Sequence, residues 1–330
     1  MKNLFSSYII LVVLFTFYNL NSQTIFSKNA KLMGSDFEIT IVEKNESHAN
    51  YLLDLAIKEI SRIEKLISSW DKKSQTSQIN LNAGIKAVKV DKELFDLISR
   101  SLKISGLSQG AFDISYASLD KVWYFDKQML KVPSAEEIKK SVSKVGFRNI
   151  ILDKKNQTVF LKNKGMKIGF GAIGKGYAAD MAKFLLLKNN VKSGIINASG
   201  DLKAWGRKPS GEDWMVAIVN PLNKEKVFSW LPIENKAVVT SGNYERFINF
   251  NGKLYSHIID PRTGYPSEGI LSVTIFAEQA ELADALATSV FVLGEEVGMD
   301  LINQLKGIDC IIVNDKNKII KSKNIEIEKI

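Results

Sequence analysis

The sequence predicts an α+β fold, a single large domain with a strand-rich centre and flanking helices. Three observations lead there. Helical periodicity stands toward both ends of the chain, residues 194–277 break into short strand-like runs, and strands and helices do not alternate as a parallel sheet requires. With 330 residues the chain has room for one domain or two, and no repeat or low-complexity linker divides it. Hydrophobic residues at 45% and charged residues at 25% place it among globular proteins with a full core.

Taken in order, two strand-like runs at 25–33 and 37–42 precede a helical pattern over 48–67. A polar loop over 68–77 follows, with Trp70 as its one large aromatic. Residues 91–106 read as a second helix with Gly106 as its stop signal. Strands at 149–153 and 157–162 pair across Lys154-Lys155-Asn156. A glycine-rich loop at 169–176 opens a helix that runs to Lys188. The last helix covers 278–293, is stopped by Gly294, and leaves two or three short elements to close the chain.

The first residues differ from the rest. Lys2 precedes an apolar run over 8–18, and Asn21-Ser22-Gln23 then supplies small and polar residues. That is the layout of a signal peptide over 1–22 ahead of a domain over 23–330. At about 11 residues the run is short of the roughly 20 that span a bilayer. The expectation is an exported protein, periplasmic, or held at the outer face of the inner membrane if the leader is uncleaved. Cys310, the only cysteine, excludes an internal disulfide or a cysteine metal cluster and reads as a small buried hydrophobe. The net charge of +9 is spread along the chain with no long like-charged block, which gives nucleic-acid binding little support. It does suit a phosphate-bearing ligand or peripheral contact with an anionic membrane face.

Three segments carry chemistry. Gly169, Gly171 and Gly174 fit a dinucleotide fingerprint, and Gly169, Gly174 and Lys175 fit most of a P-loop. The P-loop fails because Gly176 stands where a Ser or Thr must hold the metal. The dinucleotide reading lacks a convincing preceding strand, and its candidate acid, Asp201, lies beyond the usual spacing. What survives is an anion-binding turn into a helix with Lys175 beside it, or a plain tight turn. Further on, Glu281, Asp284 and Thr288 form an oxygen stripe on one helix, apart from an apolar stripe of Leu282, Leu286, Val290 and Leu293. Asp284 and Thr288, one turn apart, could share a hard cation such as Mg²⁺; the stripe alone fits a solvated polar face as well. Finally, His257 enters a Pro/Gly turn rich in polar groups, where it is either a general base or a turn cap.

Together these segments resemble the ApbE family of FAD:protein FMN transferases. The resemblance runs from about Met33 to Gly294. It rests on Met33-Gly34-Ser35, Ser69-Trp70 through Asn80, Gly110-Ala111-Phe112-Asp113 and the loop and helix over 171–180. Asn197-Ala198-Ser199-Gly200-Asp201, Thr240-Ser241-Gly242, residues 257–264 and residues 284–288 follow in the family's order. It implies that FAD lies in an extended cleft with Mg²⁺, or Mn²⁺, between its pyrophosphate and the protein. Asp284, Thr288 and the backbone carbonyl of Ala172 would be the metal ligands. Met33, Trp70, Ala111, Phe112 and Asp113 would line the FAD site, with Lys175 near the phosphates, Ile258 against the cofactor and His257 as the base. Gly169 falls at a cofactor-contacting position where many relatives carry Asp, so contact there passes to backbone groups or elsewhere. The implied reaction moves FMN from FAD to a Thr or Ser hydroxyl of an exported or membrane flavoprotein and releases AMP. The implied acceptor is a subunit of an ion-pumping redox complex or a flavin-carrying reductase domain. Three other readings stay open: an FAD pyrophosphatase using water, a non-catalytic FAD-binding protein, and an NAD oxidoreductase built on the glycine loop.

Overall fold

A two-residue turn sets the first strands in place. β1 (Thr24–Leu32) and β2 (Ser35–Glu43) pair antiparallel down to Leu32↔Ser35, and between them Met33 and Gly34 take φ of 53° and 71°. Two positive φ values suit the twist of a tight hairpin, but they are uncommon for a residue such as Met. In the computed structural model residues 23–325 are described, apart from 126–128, 130, 221–222, 244–246 and 251–252. The expected leader, 1–22, lies outside them.

α1 (Glu46–Ile67) starts where Asn45 accepts the His48 N–H at 2.9 Å. It buries Ala49, Leu52, Leu53, Ala56, Ile60, Ile63 and Ile67, the three-and-four spacing of an amphipathic helix. The polar loop expected over 68–77 ends early, because Ser74 accepts the Ser77 N–H and caps α2 (Gln75–Leu81). After β3 (Val88–Lys89), α3 (Lys92–Leu107) runs through Gly106, and the turn comes later, at Gln109 and Gly110 with φ of 51° and 83°. A 3₁₀ turn (Ile114–Ser118) and α4 (Ala135–Ser141), opened by a Ser134/Glu137 capping box, lead to the hairpin of β4 (Ile150–Asp153) and β5 (Thr158–Leu161).

The glycine loop then opens α5 (Gly174–Lys188). The strand-rich middle holds β6 (Gly194–Ala198), β7 (Asp201–Trp205), β8 (Trp214–Asn220), β9 (Asn223–Ile233), β10 (Ala237–Gly242), β11 (Phe247–Phe250), β12 (Lys253–Ser256) and β13 (Ile270–Ala277). α6 (Ala280–Leu293) ends at Gly294, with φ of 86°, and α7 (Glu295–Asn303), β14 (Asp309–Asn314) and β15 (Ile319–Lys321) close the fold.

The main sheet has the order β1-β2-β6-β7-β10-β13-β14-β15, antiparallel throughout. Strand alternation sends side chains to opposite faces. Phe37, Ile39 and Ile41 of β2 join α1, α5 and α6 in the main core, while Val42 turns to the other face. There Trp214, Val216 and Ile233 of the β8–β9 hairpin cover Val238, Phe276 and Ile311. Both faces are therefore dry at the centre of the sheet, as β13 shows with seven of its eight residues buried. Cys310 is buried within this core, which pushes its thiol up. Among the described residues no helix is long and apolar enough to cross a membrane.

The registers gather the motif turns at one end of the sheet. The β1–β2 turn, the Ser199-Gly200 turn between β6 and β7, and the Thr240-Ser241-Gly242 end of β10 all lie there. α5 and α6 pack so closely that a side chain at Gly176 would overlap the Ala280 carbonyl. Gly176→Ala should therefore cost about 2–3 kcal/mol, read as a lower denaturant midpoint at unchanged slope. A loss below about 0.5 kcal/mol would show that the two helices part freely.

Candidate functional site

A cavity of about 540 Å³ opens at the turn-bearing end of the sheet. Its wall includes Met33, Ala111, Phe112, Asp113, Ala172, Lys175, His257, Ile258, Asp284 and Thr288, ten of the twelve residues expected at a site. Trp70 and Gly169 are not among the lining residues. Each group arrives by its own route. Met33 is presented by the left-handed turn, and residues 111–113 follow the Gln109-Gly110 turn after α3. Lys175 comes from the first turn of α5, and Asp284 and Thr288 from the middle of α6.

The corner around Asp284 carries the electrostatics. Asp284 is 5% exposed and accepts the Gly176 N–H at 3.1 Å. Asp201, also buried, is ion-paired with Lys175. Two carboxylates against one ammonium leave a negative excess. Burial, and then the charge of Asp201, push Asp284 up to about 7 against the pull of Lys175 and the Gly176 amide. A buried acid held there gains from a cation. Thr288 and Ala172 line the same cavity; with the hydroxyl of one and the backbone carbonyl of the other, the donors beside Asp284 would all be oxygen, which suits Mg²⁺ or Mn²⁺. Among the described residues no cluster of three His, Cys, Asp or Glu forms a full cage. The fit is thus to an ion that completes its shell with water and substrate oxygens.

The stripe read from the sequence divides. Glu281 lies about 10 Å from Thr288 along the helix axis and is held by Arg100 of α3 through two bonds of 2.7 and 2.9 Å. It ties two helices together and does not line the cavity. Asp284 and Thr288 do, and most of the helix is buried rather than wet.

The glycine loop is also not the open anion cradle that its sequence suggests. The Gly171 N–H donates to the Tyr116 hydroxyl at 3.2 Å, the Gly174 N–H to the Phe170 carbonyl at 2.7 Å, and the Gly176 N–H to Asp284. The anion at the start of α5 is Asp284 itself. Gly169 presents its Cα to Ala117 and Tyr116, and its N–H donates to the Ile114 carbonyl at 2.9 Å.

On the other side, His257 follows β12 and lines the cavity with Ile258, and Phe125 meets its ring edge-on at 6.5 Å. The turn after it is closed by Asp260, whose carbonyl accepts the Gly264 N–H at 2.8 Å and whose carboxylate accepts the Arg262 N–H at 2.8 Å. Trp123 Nε1 donates to the Gly264 carbonyl at 2.9 Å, which locks the turn from behind. Asp113 lines the cavity with its carboxylate engaged. It accepts from the Ser115 N–H and hydroxyl at 2.7 and 2.6 Å and from the Phe147 N–H at 2.7 Å. Trp70 stands 92% exposed in a turn pinned by Ser68, which accepts the Trp70 and Asp71 N–H groups. Tyr116 is one lining residue that sequence reading missed. It sits three residues past Asp113, where no spacing marked it.

A family model described as the ApbE family matches residues 33–312. The chain belongs to the ApbE family. It is 32% identical over 305 residues to an FAD:protein FMN transferase of Klebsiella pneumoniae, covering 92% of this chain and 93% of the relative. It is 30% identical over 318 residues to an FAD:protein FMN transferase of Treponema pallidum, covering 91% of this chain and 87% of that one. The crystal structure of the ApbE protein of Thermotoga maritima superposes with a TM-score of 0.83 and 31% identity, over 91% of this chain and 97% of that chain. The mixed α+β fold is the ApbE fold, and by its family the chain is a transferase.

Proposed function

We propose that this chain is a metal-dependent FAD:protein FMN transferase, acting as one domain over 23–330. The reading is carried by the negative corner of Asp284, Asp201 and Lys175, which shares a single cavity with His257. FAD would lie along the wall formed by Met33, Ala111, Phe112 and Ile258, with Lys175 at its phosphates. A divalent cation, Mg²⁺ or Mn²⁺, held by Asp284, Thr288 and the Ala172 carbonyl, would neutralise phosphate charge as it develops.

His257 takes the proton of an acceptor Thr or Ser hydroxyl. The freed oxygen forms a bond to the FMN-side phosphorus, the bond from that phosphorus to the bridging oxygen breaks, and AMP leaves with that oxygen. Lys175, ion-paired with Asp201, steadies the phosphates, so most of the rate comes from positioning and charge. Trp70 and Gly169 lie outside the cavity lining. Export of the chain, through a leader over 1–22, would match it to acceptors outside the cytoplasm, either a redox-pump subunit or a flavin-carrying reductase domain. Peripheral contact with the membrane would follow from that setting.

The test incubates the chain with FAD, Mg²⁺ and a candidate acceptor domain and weighs the acceptor by intact-mass spectrometry. A gain of one FMN, abolished by a chelator, is the expected result. AMP in solution with an unchanged acceptor would instead indicate a pyrophosphatase. Intact FAD after long incubation with several acceptors would indicate a flavin-binding protein without catalysis.

A further inference from the structure

Tyr116 takes part in nothing derived so far, although it lines the cavity between the glycine loop and α6. Its backbone is held from both ends of the 3₁₀ turn. Asp113 caps the start of that turn, Ser118 exchanges bonds of 2.8 and 2.7 Å with the carbonyl and N–H of Lys167, and the Gly169 N–H reaches back to Ile114. The hydroxyl is then aimed by the loop, accepting the Gly171 N–H at 3.2 Å. A phenol both accepts and donates. Its own proton meets no acceptor among the described residues, and the residue is 37% exposed.

The loop is shaped around this oxygen. A Cβ at Gly171 would overlap it, and the next nearest phenol atom, Cζ, would lie 3.6 Å away. A Cβ at Gly169 would come within 3.7 Å of the same hydroxyl and 3.1 Å of the Ala117 methyl. Gly171 therefore leaves the space that the hydroxyl fills, while Gly169 is crowded by Ala117. At this stretch of the loop the Gly171 amide is taken up by a side-chain hydroxyl brought from 55 residues earlier, on a residue that lines the cavity.

We propose that Tyr116 is an FAD-binding residue, its hydroxyl donating to a phosphate oxygen of the ligand while the Gly171 amide holds it in place. The phosphates are the part of FAD concerned because the hydroxyl stands beside Gly171 and Ala172, in the cavity that also holds Lys175 and Asp284. A donor already oriented before binding loses little on ordering. This inference rests on the reading of the cavity as the FAD site.

The test titrates FAD, with Mg²⁺ present, into the full chain and into Y116F, G171A and the double variant, following flavin fluorescence. Y116F should weaken FAD about tenfold, the size of a hydrogen bond to a charged oxygen. In transfer assays KM for FAD should rise by the same factor while kcat stays within about threefold. G171A, whose methyl displaces the hydroxyl, should cause a similar loss. In the Y116F background it should add less than about twofold, because the overlapping atom is gone. Unchanged FAD affinity in Y116F, or losses that multiply in the double variant, overturns the assignment of Tyr116 alone. No FAD binding by the unsubstituted chain defeats the assignment of the cavity to FAD, and this inference with it.

Discussion

Asp284→Asn should leave a folded chain that no longer responds to divalent cations and transfers FMN at least about a hundredfold more slowly. Asparagine keeps an oxygen for the Gly176 N–H and fills the same volume, so the junction of α5 and α6 survives. What disappears is the charge that holds the cation. Stability separates this from simple damage. The native carboxyl titrates near 7 and the unfolded one near 3.8. Between those values the native state keeps a proton that the unfolded chain has lost. Metal-free stability therefore falls as pH rises through that window. Asparagine removes this slope and should raise metal-free stability above pH 7 by at least about 1 kcal/mol. Mg²⁺ should raise the melting temperature of the native chain, more strongly above pH 7 than at pH 5, and leave the variant unmoved. Thermal unfolding at several pH values, with and without Mg²⁺, checks each point. Cation-dependent stabilisation that persisted in the variant would place the metal elsewhere.

His257→Gln should lower flavin transfer about 10²- to 10⁴-fold, the usual contribution of a positioned base. FAD affinity and the Mg²⁺ effect on melting should stay within about threefold and about 1 °C, because the residue comes from the β12 side of the cavity and not from α6. The turn beside it is locked by Asp260 and Trp123, so the substitution has little structural reach. Single-turnover transfer followed by acceptor mass measures the chemical step directly. Transfer within about fivefold of the native rate would mean that another group takes the acceptor's proton.

The α+β class and most helix limits were readable because they depend on local signals. Gly294 ends α6 at a positive φ that few other residues accept, and Lys154-Lys155-Asn156 lies between β4 and β5 as expected. Failures came where a turn, a cap or a distant partner decided. Gly106 marked the end of α3 to within one residue, Leu107 being the last, but the chain reverses at Gln109 and Gly110, which carry the positive φ values. Ser74 turned a polar loop into the start of α2 with a single capping bond. At the site, ten of the twelve residues that the resemblance pointed to line one cavity, and the family match bears out the resemblance itself. Their connections were not. Glu281 and Asp284 look equivalent along the sequence, and only the approach of Arg100 removes one of them from the cavity. The glycine loop reads as an anion cradle until Tyr116 and Asp284, 55 and 108 residues away from their amide partners, occupy its N–H groups. Amide direction depends on backbone torsion and tertiary neighbours, neither of which is written in a run of glycines.

The bond from Gly176 to Asp284 gives the site its own reporter. One nitrogen-bound proton points at the carboxylate whose state changes when a proton leaves or a cation arrives. Its NMR resonance should shift with each of those events, and its exchange with heavy water should slow when the carboxylate is locked in a coordination shell. A single ¹⁵N-labelled glycine would then show whether the site is protonated, empty or filled, in a sample containing no flavin.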